Sequence, residues 1–248
     1  MSIKKDRYTV IDVLRGISVI CMIIYHAAWD LVNVHSVEIA WFTSAFGSAF
    51  QAYIRWSFII ISGFSLFLGK RKIKRGLTVL LSSLAVTGVT VFVTPQSAIK
   101  YGVLTFLGVA MLVGALFEKL TLKIHPLVGI AVSFLLFLFF FNAEIGTVGL
   151  FGYKLPLPNT LFANEFTAFL GFPYREFHSS DYVPLIPWIF LYFSGSFLFL
   201  IFKRYGLLRM LSGVSVKSLE WVGRNALPIY LIHQPLIYGV MFLIFRKQ

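Results

Sequence analysis

Long apolar runs, broken by short basic or glycine-containing turns, recur along the whole chain. Seven approach the roughly 20 residues a helix needs to cross a hydrocarbon core. They lie at about 10–31, 52–69, 76–94, 101–117, 124–141, 184–202 and 222–245. Residues 39–51 (IAWFTSAFGSAFQ) are apolar but short, and read as an interfacial lead-in to the second span. The only long connection is 142–183, with Gly, Pro and the acidic residues Glu144, Glu165, Glu176 and Asp181; a loop of that length is usually functional or an elaborated lid. No internal repeat or low-complexity linker interrupts the pattern. It predicts an all-α, polytopic bundle of about seven transmembrane helices in a single membrane domain, 1–248.

Composition sharpens this picture. Of 248 residues, 58% are apolar and 13% charged, with a mean hydropathy of +0.83. A soluble domain carries about 25% charged residues, so this chain lacks the polar material to coat a water-facing surface. Disorder, a secreted disulfide scaffold and an ordinary cytosolic enzyme are excluded. Cys21 is the one cysteine and sits in an apolar run, so no intramolecular disulfide can form. The basic start resembles the n-region of a signal peptide. However, Asp12, Arg15, His26 and Asp30 interrupt the run behind it, and bulky Trp29 follows Ala27-Ala28, so a retained span is expected.

Lys and Arg number 22 against 10 Asp and Glu, a net +12. In a soluble chain that balance would suggest nucleic acid, but here position matters more, because cytoplasmic connections are enriched in basic residues. With the N-terminus inside, the inner segments hold Lys4, Lys5, Arg7, Lys70, Arg71, Lys72, Lys74, Arg75, Lys119, Lys123, Lys203, Arg204, Arg209 and Lys217. The outer segments hold only Lys100, Lys154, Arg175, Arg246 and Lys247. The expected orientation therefore has a cytoplasmic N-terminus, an extracytoplasmic 142–183 loop and an extracytoplasmic C-terminus. Lys70–Arg75 would also attract anionic inner-leaflet lipid. No basic stripe interleaves with exposed aromatics, so no nucleic-acid partner is expected.

Ionisable groups inside spans are costly, and they usually face the bundle interior or a water-filled cavity. The first span carries Asp12, Arg15, His26 and Asp30. Eleven residues separate Arg15 from His26, which is almost three full turns, so both lie on one face about 16 Å apart along the axis. Arg15 with Asp12 fits either an interfacial ion pair or a cationic mouth. His26 with Asp30 one turn on fits a base whose tautomer a carboxylate sets. The last span supplies Arg224, Asn225, Tyr230, His233 and Gln234, with Pro228 and Pro235 among them. Arg55 and Asp181 open the second and sixth spans from the outer side, where each fits an interfacial anchor or a substrate contact. Gly63, Gly108 and Gly114 suit close helix approach. The five histidines are scattered without metal-ligand spacing, and no Walker loop, GxSxG elbow or dinucleotide fingerprint occurs. The membrane-embedded histidines are the catalytic candidates.

The segment RYTVIDVLRGISVICMIIYHAAWDL resembles the catalytic-domain family of heparan-α-glucosaminide N-acetyltransferase, within the broader group of transmembrane acyltransferases. The shared signature is an arginine, ten residues and a histidine on the first span, here Arg15 and His26. Further matches are RWSFIIISGFSL from Arg55, the basic KRKIKR turn, DYVPLIPW from Asp181 and WVGRNALPIYLIHQP near the end, so the likeness runs over nearly the whole chain. It implies transfer of an acyl group, usually acetyl from acetyl-CoA, to an extracytoplasmic acceptor that is commonly a sugar. For a bacterial plasma-membrane protein, that acceptor would be a sugar or cell-envelope glycan.

The residues accommodate this chemistry. Arg15, Arg224 and Asn225 would bind acyl-CoA at the cytoplasmic mouth, since guanidinium donates two parallel hydrogen bonds to phosphate. His26, Asp30 and His233 would be the catalytic group, and Arg55 and Asp181 would contact the acceptor. His26 acts either as general base or as a nucleophile that carries the acyl group. A small-molecule or proton-coupled transporter is the competing reading, because it too would line a bundle with ionisable groups. Against it, the chain lacks the inverted repeat of many such transporters.

Overall fold

The computed structural model describes residues 8–246. Lys4, Lys5, Arg7 and Lys247 of the charge pattern lie outside the described residues. The α-helices are α1 (Thr9–Asn33), α2 (Ala45–Phe64), α3 (Lys72–Val93), α4 (Val103–Leu116), α5 (Glu118–Lys123), α6 (Pro126–Phe140), α7 (Glu165–Leu170), α8 (Leu185–Arg204), α9 (Lys217–Arg224) and α10 (Ala226–Phe245). Sheet among the described residues is limited to a two-residue antiparallel pair, β1 (Thr147–Val148) and β2 (Leu155–Pro156). The protein is a helical, multi-pass membrane protein.

Among the described residues, six helical segments are long and apolar enough to cross a membrane: α1, α2 with its 3-10 extension to Phe67, α3, α6 with its extension to Ile145, α8 and α10. The stretch expected at 101–117 forms α4, apolar throughout but only 14 residues long. Residues 39–51 divide in two: turns occupy 39–43, and from Ala45 the chain is already the first turns of α2. The expected last span is two helices. The chain leaves helical geometry at Asn225, so Arg224 ends the short α9 and α10 begins afresh at Ala226.

Contacts divide the chain into two compact units, Met1–Ile61 with Gly206–Gln248, and Ser62–Tyr205. In the second, α3 packs on α4 and α6 on α8. Small residues set these crossings. A Cβ on Gly108 would fall 2.8 Å from the Leu80 backbone nitrogen, one on Gly63 would meet the Tyr192 carbonyl, and one on Gly114 the Tyr192 ring. Ser194 Oγ donates to Ser133 Oγ at 3.1 Å across α6 and α8, and Ser196 Oγ to the Gly63 carbonyl at 3.0 Å. Leu77, Leu81 and Leu84 of α3 and Leu127, Val128 and Val132 of α6 remain exposed at helical spacing, as faces solvated by lipid tails require.

The 142–183 connection holds the β1–β2 pair and α7, which opens on a capping box between Asn164 and Thr167. Its end is zipped to the segment before α4: Val183 N–H donates to the Tyr101 carbonyl, Ser180 N–H to Ala98 and Ser180 Oγ to Ser97. Lys100 Nζ meets Glu165 Oε1 at 2.9 Å, and the Tyr174 hydroxyl donates to the same oxygen at 2.8 Å. Lys100 holds the Glu165 carboxyl below its usual value, and Glu165 in turn raises the Lys100 ammonium.

Candidate active site

In the first unit, α1 presents a single stripe: Arg15, Val19, Met22, His26 and Asp30 recur at three- and four-residue steps, so they share one helix face. Val19 and Met22 in its middle are buried with Ile54 of α2, and Val222, Ala226, Ile229 and Tyr230 pack against them. The apolar centre of the stripe thus docks α9 and α10 and leaves polar groups at both ends.

At the N-terminal end, α1 and α9 cross on two glycines. A Cβ on Gly223 would sit 1.9 Å from the Asp12 carbonyl oxygen, and one on Gly16 would sit 2.1 Å from that of Leu219. Close approach brings four charges together. Arg15 Nη1 lies 3.3 Å from Asp12 Oδ1, Arg224 Nε lies 3.5 Å from Asp12 Oδ2, and Arg224 Nη2 bonds Glu220 Oε2. Ser215 donates its hydroxyl to the other Glu220 oxygen. Asp12 and Glu220 are 7% and 4% exposed, so these carboxylates are neutralised where water does not reach them. The expected cationic mouth is therefore a charge-balanced network of two arginines and two acids. Asn225 Nδ2 donates to the Trp221 carbonyl at 2.9 Å and closes the end of α9.

At the other end, the His26 and His233 rings lie 5.0 Å apart between centroids, tilted by 59°. At that separation, ring nitrogens can meet directly or serve one small group between them. His233 is buried, and its Nδ1 lies 2.5 Å from the Tyr230 carbonyl oxygen of its own helix. A carbonyl only accepts, so Nδ1 carries the proton, and in the neutral ring Nε2 holds the lone pair. One turn beyond His26, Asp30 is 2% exposed. Gln234 Nε2 lies 3.0 Å from each of its carboxylate oxygens. Two cross-helix rungs thus join α1 to α10, His26–His233 and Asp30–Gln234.

Of the remaining candidates, Arg55 lies on α2, within electrostatic reach of the Tyr25 phenol of α1. Asp181 belongs to the second unit, where its Oδ2 accepts the Val103 N–H at 3.1 Å and caps α4. Glu220 was not among the sequence candidates. Its hydropathy places it in a turn before a span, and only its four-residue spacing to Arg224 gave a sign of pairing.

The family model described as heparan-alpha-glucosaminide N-acetyltransferase, catalytic, matches residues 7–235, which include both rungs and the ion network. No curated protein and no solved structure matches the chain.

Proposed function

The chain belongs to the heparan-alpha-glucosaminide N-acetyltransferase catalytic family, a transmembrane acetyltransferase-type domain, and from that premise we propose that it moves an acetyl group from cytoplasmic acetyl-CoA to an amine or hydroxyl of an extracytoplasmic sugar or envelope glycan, in a bacterial plasma membrane. The observation that carries this reading is the approach of His26 to His233, 5.0 Å between rings on two helices.

The acceptor's nitrogen or oxygen forms a bond to the thioester carbonyl carbon as the carbon–sulfur bond breaks. The proton released by the acceptor goes to imidazole and from there to the departing thiolate, so the enzyme ends as it began. His26 is the general base in this scheme. His233, with Nδ1 committed to the Tyr230 carbonyl, presents a fixed lone pair that orients or relays the proton. Asp30 stands one turn from His26, where a carboxyl group can help to orient the imidazole.

Arg15 and Arg224 serve the donor's phosphates, to which a planar guanidinium is matched by its paired N–H donors, and Asn225 positions Arg224 by closing α9. Arg55 acts on the acceptor side. The test is transfer of radiolabelled acetyl from acetyl-CoA by detergent-purified protein to glucosamine and to envelope glycan. Label in the acceptor supports the reading. No transfer with no detectable acetyl-CoA binding at millimolar concentration overturns it, and proton-coupled uptake in vesicles would then favour the transporter.

A further inference from the structure

Gln234 follows His233 and precedes Pro235 on α10, and it does more than hold Asp30. Its amide nitrogen faces both carboxylate oxygens of Asp30 at 3.0 Å. This fixes the amide's orientation, because the reverse placement would set an amide oxygen against a carboxylate, acceptor against acceptor. Gln234 Oε1 is therefore the atom turned from Asp30. It is buried and has no hydrogen-bond partner. A buried acceptor in that state is costly and calls for an explanation where it occurs.

The surroundings supply one. His233 is the preceding residue, and Asp30 stands one turn, about 6 Å, beyond His26. The amide oxygen is thus carried by the residue next to His233, on the same pair of helices as the two imidazoles. We propose that Gln234 Oε1 accepts a hydrogen bond from the acceptor, from a hydroxyl or N–H next to the attacking group, so that the site selects acceptors with two neighbouring donors over simple amines. This rests on the acyltransfer reading and adds the residue that reads the acceptor. An acceptor donor placed there satisfies the amide oxygen only when the correct substrate is bound. An analogue without that donor leaves it unpaired, which is how polar sites discriminate.

The test compares glucosamine, an amine flanked by hydroxyls, with cyclohexylamine, a ring amine without them, using the purified full-length chain and labelled acetyl-CoA. The wild type is expected to favour glucosamine in kcat/KM. Gln234→Met should lose that preference by about tenfold through a raised glucosamine KM, with the acetyl-CoA KM unchanged. Unchanged turnover of cyclohexylamine by Gln234→Met separates this role from a folding defect, because a misfolded protein would lose both amines alike. Equal losses on both amines in Gln234→Met would mean that Gln234 only positions Asp30, and would overturn the proposal. Thermal stabilisation by glucosamine gives a readout independent of transfer. If the wild type transfers to neither amine and binds no acetyl-CoA, yet glucosamine stabilises it and not Gln234→Met, the acyltransfer reading falls while the binding role stands. If glucosamine stabilises both proteins equally, the binding role falls.

Discussion

At the scale of single residues, the two ends of the α1 stripe call for different outcomes on truncation. His26→Ala removes one of two facing imidazoles and should lower turnover by about 10²–10⁴-fold, as removal of a general base does, with acetyl-CoA binding retained. Asp30→Asn keeps the shape beside Gln234 and should lose less. Near-normal turnover in His26→Ala, with loss in His233→Ala, would move the base to α10. At the opposite end, Arg224→Ala leaves Glu220 and Asp12 short of a partner where they are buried. It should destabilise the protein by about 2 kcal/mol, less than for a fully buried pair because Arg224 is partly exposed. Arg224→Lys cannot fork between two carboxylates and should recover only part of this in thermal denaturation. The arginines and histidines could be singled out in the sequence because a charge within an apolar run stands out by itself. Their partners could not be matched to them, since a separation of about 200 residues between Asp30 and Gln234 leaves no local signal.

Among elements, the α1–α9 crossing depends on absent side chains. Gly223→Ala would set a methyl against the Asp12 main chain and should part the helices, weakening the network and lowering the midpoint of thermal unfolding. Gly88→Ala, on α3 with open space around its Cβ position, is the control expected to be neutral or stabilising. The α7 loop answers to pH. Glu165 has a depressed pKa because Lys100 bonds its carboxylate. The stabilisation is therefore present above the ordinary glutamate value and is lost as pH falls through the lower folded value. Lys100, raised mainly by the same bond, loses its share only as pH climbs past the ordinary lysine range. Amide protection factors over residues 165–174, corrected for intrinsic exchange at each pH, should be high between these limits and fall at the acid end; Glu165→Gln should abolish the acid limb. Apolar run length located α1 and α8 closely, whereas α2 begins at Ala45, seven residues before the expected run, and the run at 101–117 forms the shorter α4. The break at Asn225 escaped that reading because Val222 and residues 226–229 keep the segment apolar through it; the non-helical backbone of Asn225 and its side-chain bond to the Trp221 carbonyl mark where one helix has ended.

On the scale of the whole molecule, the orientation expected from the basic turns is testable: cysteines placed at 155–165 should react with an impermeant thiol reagent in intact cells, and reaction only after lysis would reverse the expectation. Arg15 and Arg224 are balanced by Asp12 and Glu220 and should leave that orientation unchanged when neutralised together, whereas removing the charges of Lys70–Arg75 should disturb it. The pairing of α1 with α9 and α10 also has a consequence for biosynthesis. Domains of a growing chain are made from the N-terminus onward, so α1 reaches the bilayer carrying Asp12, Arg15, His26 and Asp30 while Glu220, Arg224, His233 and Gln234 are still untranslated. Until then Asp12 has Arg15 one turn away on its own helix, but Asp30 lacks its amide. A nascent chain halted before Lys217 should therefore expose the marks of an unfinished membrane protein and be degraded. Supplying Gly206–Gln248 as a separate polypeptide should rescue it.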